Sequence, residues 1–228
     1  MTDSTNWETV LLGENLVFTL CGRILYEELD RTWLQSLIDD DIFSEVPFGE
    51  TQERVQEGLK FLKSWTEENK SGISDESFMK LRTEYTRMFV GIGKVPVPVW
   101  ESVYFSDANL LFQKQTLDVR NWFRRFQLES EKLHQEPDDH IGLELQFLGH
   151  LAGLGLEALD EQNDARLQEL ISAQRDFLNQ HLLKWILKWE KLLLKHAKTD
   201  FYKGVGLLAV GAVLEIANIV GAPIPVEK

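Results

Sequence analysis

An internal disulfide is the first thing this chain cannot have, because it holds a single cysteine, Cys21. Its fold must rest on packing, and so sparing a use of cysteine fits a reducing compartment. The opening residues, MTDSTNWETV, carry neither the basic flank nor the apolar stretch of a secretory signal. No unbroken hydrophobic run reaches the roughly 20 residues a membrane span needs. The longest, GVGLLAVGAVLEIANIV over 204–220, has 17 residues, four of them Gly or Asn, with Glu215 inside. It reads as a buried terminal helix, and the chain as a soluble cytoplasmic protein without an integral membrane segment. Positive charge is scarce as well. The formal charge is −13, and residues 1–160 hold 29 acidic against 15 basic side chains, while 161–228 hold 8 against 9. A field of that sign repels nucleic-acid phosphates and favours cationic partners, so no nucleic-acid binding is expected.

What the chain does have is helical periodicity. Its 228 residues suffice for one domain with a sizeable core. From Trp7 to Leu29, apolar residues recur at helical spacing through Leu11, Val17, Phe18, Cys21 and Leu25, and the short segment RTWLQSLI follows. Pro47 and Gly49 break the pattern within 39–50, and another helix is expected from about Thr51 to Glu68. Ser74 opens a helix whose first turn carries Asp75 and Glu76 and whose apolar face is Phe78, Leu81, Tyr85, Met88 and Phe89. Pro96 and Pro98 exclude helix interior over 90–100 and predict an extended, polyproline-like strip ending in Trp100. Helices are expected again over about 108–130, 137–157, 161–180, 180–197 and 199–219. In the second of these Glu136 is the cap and Pro137 the first helical residue; in the fourth, His181, Trp185 and Trp189 stack one turn apart. No internal repeat or low-complexity segment interrupts the pattern. The expected fold is all-α, a single-domain helical bundle.

Two phosphate-site lookalikes fail. GVGLLA (204–209) has the spacing of a dinucleotide fingerprint but no strand before it, and GIGKV (91–95) has Met88 where a phosphate loop needs glycine and Val95 where it needs Ser or Thr. Cys21 sits among apolar helix residues as a core thiol, Ser102 lacks a nucleophile-elbow context, and His134, His181 and His196 read as structural or exposed. The stretch EPDDH (136–140) stands apart, with three carboxylates and a histidine in five positions. If helical, it aligns Glu136, His140 and Glu144 at i, i+4 spacing, the basis of an alternative reading as a helical metalloenzyme. However, the paired Glu-x-x-His motifs of di-iron bundles and the usual zinc spacings are missing. The same group at a helix mouth suits a guanidinium, with Trp100, Tyr104 and Phe105 as an apolar wall. Alternatively, Asp138 and Asp139 simply serve the helix N-terminus. On chemistry alone both readings stay open.

The order of three segments adds a resemblance. YTRMFVGIGKVPVPVWESVYF (85–105), EPDDHIGLELQFLGHLA (136–152) and HLLKWILKWEKLLLKHAKTDFY (181–202) together resemble the TorD/DmsD family of redox-enzyme maturation chaperones, over roughly residues 80–202. That resemblance implies an all-helical, non-enzymatic protein without a cofactor. Such a protein binds the twin-arginine signal peptide or the apo catalytic subunit of a molybdenum oxidoreductase and delays export until the cofactor is inserted. Carried over by position, the signal-peptide-binding residues are Tyr85, Met88, Phe89, Trp100, Tyr104, Pro137, Asp139 and His140. The resemblance also allows a homodimer formed by exchange about a hinge near 128–137, and an assembly scaffold that ignores the leader is the other non-enzymatic reading. Glu101, in place of a small residue, implies a different client. His140 is expected to be neutral, since an imidazolium would repel arginines.

Overall fold

The computed structural model describes residues 5–44, 48–91, 95–105, 111, 113–129 and 136–225. Among these are nine α-helices and no strand. They are α1 Trp7–Tyr26, α2 Arg31–Asp39, α3 Glu53–Asn69, α4 Asp75–Tyr85, α5 Lys114–Arg125, α6 Ile141–Asp160, α7 Asp164–Gln180, α8 Ile186–His196 and α9 Asp200–Ile219. Local chemistry starts most of them. The side chains of Asn6, Asp30, Gln52, Ser74, Asn163 and Thr199 each accept a hydrogen bond from a first-turn N–H, which satisfies one of the donors a helix start leaves open.

α9 occupies the centre, with fifteen of its 20 residues buried, and packs against α3, α1 and α8. Counted as helices, α1 and α9 are each long and apolar enough to cross a membrane, yet 78% of α9's most apolar window lies buried inside the bundle. The apolar run at 204–220 is a core helix. Its glycines serve close approach: a Cβ on Gly204 would lie 2.8 Å from the Gly58 carbonyl oxygen of α3, and one on Gly206 would collide with Leu193 of α8. The other tight crossing joins α1 to α6. A Cβ on Gly22 would lie 2.7 Å from the Gly142 carbonyl oxygen, and one on Gly142 would lie 2.7 Å from that of Gly22.

Three boundaries differ from the periodicity, two of them for a tertiary reason. α6 begins at Ile141 with His140 as its cap, not at Pro137 behind a Glu136 cap, because Asp138 and Asp139 are drawn sideways to other elements. The helix expected over 180–197 is broken at His181 (φ −125°, ψ −96°) and by a 3-10 turn, Leu182–Lys184. The break aims the His181 ring at Glu101, so the one-turn stack with Trp185 and Trp189 does not form, although all three side chains are buried. α5 spans Lys114–Arg125, shorter than the expected 108–130. Most of the expected hinge near 128–137 and the centre of GIGKV lie outside the described residues.

The α1–α6 crossing generates a prediction. Gly142→Ala gains helix propensity worth about 1 kcal/mol but must push α1 away. A net loss of about 1–3 kcal/mol is expected, read as a lower urea midpoint with unchanged slope.

Candidate functional site

Three chain segments distant in sequence converge at one end of α6. The first leaves α4 through a single π-turn, Thr86–Val90, closed by the Gly91 N–H donating to the Thr86 carbonyl at 2.7 Å. Gly91 then takes φ +45°, where a side chain is strained. The extra residue of a π-turn shifts the register of a helix, a device common at functional sites. Here Met88 and Phe89 turn inward and are buried, while Val90 faces out. The extended strip that follows is fastened at both ends: the Val97 N–H donates to the Met88 carbonyl at 3.1 Å, and the Ile141 N–H donates to the Val99 carbonyl at 2.7 Å. An isolated antiparallel bridge pairs Trp100 with His140.

The EPDDH segment forms the second strand of that bridge. Asp139 is fully buried, and both of its carboxylate oxygens are engaged: Oδ2 accepts from the Ser102 N–H at 2.7 Å and Oδ1 from the Thr116 hydroxyl of α5 at 2.6 Å. Asp138 grips a guanidinium of the chain itself, that of Arg120 on α5, at 2.6 and 2.8 Å. His140 Nδ1 accepts from the Gly142 N–H at 3.0 Å, so the ring caps α6 and carries its proton on Nε2, the neutral form. Its edge meets Tyr26 and Trp100 at centroid distances of 5.1 and 5.9 Å. Asp138, Asp139 and His140 together tie the strip, the 3-10 turn Glu101–Tyr104 and α5 to the start of α6. The helix-dipole role considered for Asp138 and Asp139 is therefore not the one they play.

Beneath the 3-10 turn lies a buried acidic group. Glu101 points inward, its Oε2 2.7 Å from Nδ1 of His181, which removes it from the surface where it was expected to influence client choice. Burial raises its pKa, and the hydrogen bond and charge of His181 partly offset the rise. Glu144, one turn into α6, is fully buried, and neither oxygen has a hydrogen-bond partner. Burial, then the charges of Glu101 and Asp139, hold its carboxyl well above the ordinary range; the Trp185 indole offsets part of this without reaching hydrogen-bond geometry. Tyr104 closes the turn, its hydroxyl donating to the Pro98 carbonyl at 2.8 Å and its ring 5.0 Å from that of Trp185. All three segments of the sequence resemblance therefore meet here.

The open part of the site is a cleft of about 340 Å³ over α4, with Tyr26, Glu28, Tyr85 and Glu136 on its walls. The Tyr85 hydroxyl donates to the Leu25 carbonyl at 3.1 Å. Burial, followed by the nearby Glu136, Tyr26 and Glu28, pushes its pKa up to about 12. Arg82 lines the same cleft and is paired with Glu28.

Of the eight residues carried over from the resemblance, Tyr85 lines this cleft. Met88, Phe89, Pro137, Asp139 and His140 are buried behind it, and Trp100 and Tyr104 are half-buried in the adjoining strip and turn. Tyr26 is the last residue of α1 and Glu28 lies just beyond it, and neither belonged to a motif that could find it. Glu136 was noticed, but as a helix cap or metal ligand. The metal arrangement does not form: Glu136 is off the helix, 4.0 Å from His140 Nε2, and His140 Nδ1 is committed to the backbone. Among the described residues no three His, Cys, Asp or Glu side chains are grouped to hold a metal ion. Cys21 is buried, and burial pushes its thiol up to about 12, as an inert core thiol requires.

Residues 49–190 match the family described as nitrate reductase delta subunit. Among similar curated proteins, the chain is 28% identical over 148 residues to the chaperone protein TorD of Aliivibrio fischeri, covering 64% of this chain and 67% of that one. It is 29% identical over 127 residues to the probable Tat proofreading chaperone DmsD of Haemophilus influenzae, covering 56% and 55%. A third relative, the Tat proofreading chaperone DmsD of Salmonella typhi, is 31% identical over 136 residues, covering 60% and 58%. The matched stretch thus spans between about half and two thirds of these relatives' own length.

The buried Glu144 sets a pH dependence. A carboxyl raised in the folded state contributes stability that is intact below the ordinary value of 4.5 and lost as pH rises through the raised one. Glu144→Gln is expected to match the parent below pH 4.5 and to be the more stable of the two at pH 8, where the parent's buried carboxyl must lose its proton. Urea unfolding across that range measures the difference.

Proposed function

The chain belongs to the nitrate reductase delta subunit family, the TorD/DmsD family of the sequence reading, and from that premise we propose that it is a maturation chaperone for a molybdenum oxidoreductase. It binds the twin-arginine signal peptide, the apo catalytic subunit, or both, in the cytoplasm, without catalysis or a cofactor of its own. Export of the client then waits for cofactor insertion.

The observation that carries this reading is the tyrosine-walled cleft in which Tyr26 and Tyr85 stand beside Glu136 and the Arg82–Glu28 pair. An arginine side chain is planar, always charged and suited to carboxylates flanked by aromatic rings. In this proposal Glu136 meets the arginines and Tyr85 packs against them, while Glu28 stays paired with Arg82 on the same wall. Met88, Phe89, Pro137, Asp139 and His140 act from behind by fixing the cleft's shape, and Trp100 and Tyr104 extend its apolar side. The ligand-binding role foreseen for Asp139 thereby becomes a positioning role, since its oxygens already serve Ser102 and Thr116. We propose that the chain works as one helical unit, with exchange between two copies as a route to a homodimer.

Calorimetric titration with a synthetic twin-arginine leader and its twin-lysine counterpart tests the assignment. The arginine peptide should bind at least tenfold tighter, and Glu136→Gln should cost about 1.5–3 kcal/mol of affinity with the helical content retained. Asp139→Asn should lower both stability and affinity. Equal binding of the two peptides, or an unaffected Glu136→Gln variant, contradicts the site.

A further inference from the structure

α8 and the turn before it form a basic stretch in an acidic chain. Residues 184–198 hold five lysines and a single carboxylate, Glu190, where the whole chain carries a net charge of −13. Lys188, Lys191 and Lys195 recur at i, i+3 and i+7, so they share one face of α8 along about 10 Å of helix. All three are exposed, as is Lys184 in the 3-10 turn Leu182–Lys184 that leads in. Leu187 and Leu194, seven residues apart, run alongside; Leu187 is half-buried and Leu194 is 39% exposed. The opposite face, with Ile186, Trp189, Glu190 and Leu193, is buried in the bundle.

Folding alone does not favour this arrangement. Among the described residues the ion-paired lysines are Lys70, Lys80 and Lys203, and none of these four. Glu190 is turned inward to Arg54 of α3, at 2.7 Å. Like charges three and four residues apart repel one another on a helix surface. Lys184 and Lys188 also stand at the N-terminal end of α8, where the macrodipole disfavours a cation; Lys195, in the last turn, is placed as the dipole prefers. Lys184 has one internal use, since its charge eases the burial of Glu101, the smallest of the effects on that carboxyl.

We propose that this face of α8 docks an acidic helical segment of a partner protein, with carboxylates three and four residues apart against the lysines and apolar side chains against Leu187 and Leu194. Charge complementarity selects the sign of the partner, and the leucine edge selects a protein helix. A nucleic-acid strand would leave that edge uncovered and find no ring to stack on, because Trp185 and Trp189 are fully buried. A membrane is a plane of negative charge that would also meet the acid-rich remainder of the chain, and one exposed leucine on this face offers little to insert. None of the four lysines lines the Tyr85 cleft, so the surface is a second one, independent of what the cleft holds.

The test uses the full chain and its triple variant Lys188→Gln, Lys191→Gln, Lys195→Gln, with Lys184 kept for Glu101. Each is titrated with a synthetic peptide of about 20 residues, long enough to form a helix, that carries glutamates at i, i+3 and i+7 beside a leucine edge. A scrambled peptide of the same composition is the control. The parent is expected to bind the patterned peptide about fivefold or more tighter than the triple variant does, and tighter than it binds the scrambled one, with affinity falling as salt rises. The variant should keep the parent's helical content, and its thermal midpoint should be no lower, because like-charge repulsion has been removed. A twin-arginine leader should bind both alike; a leader affinity that falls in step overturns the assignment of a separate surface. Equal binding of the patterned peptide by parent and variant, or none by either, overturns the proposal. So does lysine-dependent binding of phosphatidylglycerol vesicles or of an oligothymidylate strand in place of the peptide. Lysine-dependent self-association in sedimentation overturns it too, because the face is then a contact between copies.

Discussion

The carboxylate of Asp139, accepting from the Ser102 N–H and the Thr116 hydroxyl in full burial, is the interaction on which the rest of the site depends. A buried carboxylate is tolerated when its oxygens are satisfied, and each charge-assisted bond is worth roughly twice a neutral one. Here the two bonds reach different elements, the 3-10 turn and α5, from a residue one place before the cap of α6. Arg120–Asp138 adds a second tie to α5, and the Trp100–His140 bridge a tie to the Pro-rich strip. Remove the carboxylate and the strip, the turn and α5 lose their common anchor. The cleft over Tyr85 and Glu136 would then lack a fixed floor.

The acidic motif thereby serves the candidate site from within. EPDDH looks like a set of ligands for a cation, and one of its members does hold a guanidinium, but that guanidinium is the chain's own Arg120. In the proposed function, facing the ligand falls to Glu136, at the motif's outer end, and to the two tyrosines, Tyr26 and Tyr85, from α1 and α4. The neighbouring Glu101, Glu144 and His181 carry the cost of concentrating acid in the interior, eased by one close Glu101–His181 pair and by holding Glu144 above the ordinary carboxylate range. Specific positioning is gained at the expense of stability, as is common where structure serves binding.

The helices were largely legible in the sequence because periodicity and caps act locally. Ser74 capping α4 and the apolar stripe of α1 needed no tertiary knowledge, and the core position of residues 204–220 followed from their glycines and Glu215. The misread points are those where distant partners override local preference. Pro137 was placed at a helix start on its own chemistry, whereas Asp138 and Asp139 pull the segment away toward α5. His181 was read as one of a helical stack, whereas Glu101, 80 residues earlier, bends the chain to meet it. The π-turn after Tyr85 had no signal in spacing, because Met88 and Phe89 fit an ordinary helical face as well. Tyr26 and Glu28 became part of the site only once α1 was laid against α6.

The central claim is that the EPDDH segment is a rigid internal clamp and not a loose set of surface ligands. Native-state hydrogen exchange on the unliganded full chain tests it most directly, through the amides of Glu101, Ser102 and Ile141, which donate to the Asp139 carbonyl, the Asp139 carboxylate and the Val99 carbonyl. The account predicts that these three exchange as slowly as the middle of α6, opening only with the bundle as a whole. Exchange at the rate of the frayed chain ends, with α6 still protected, would contradict it, because the clamp would then be open in the resting protein.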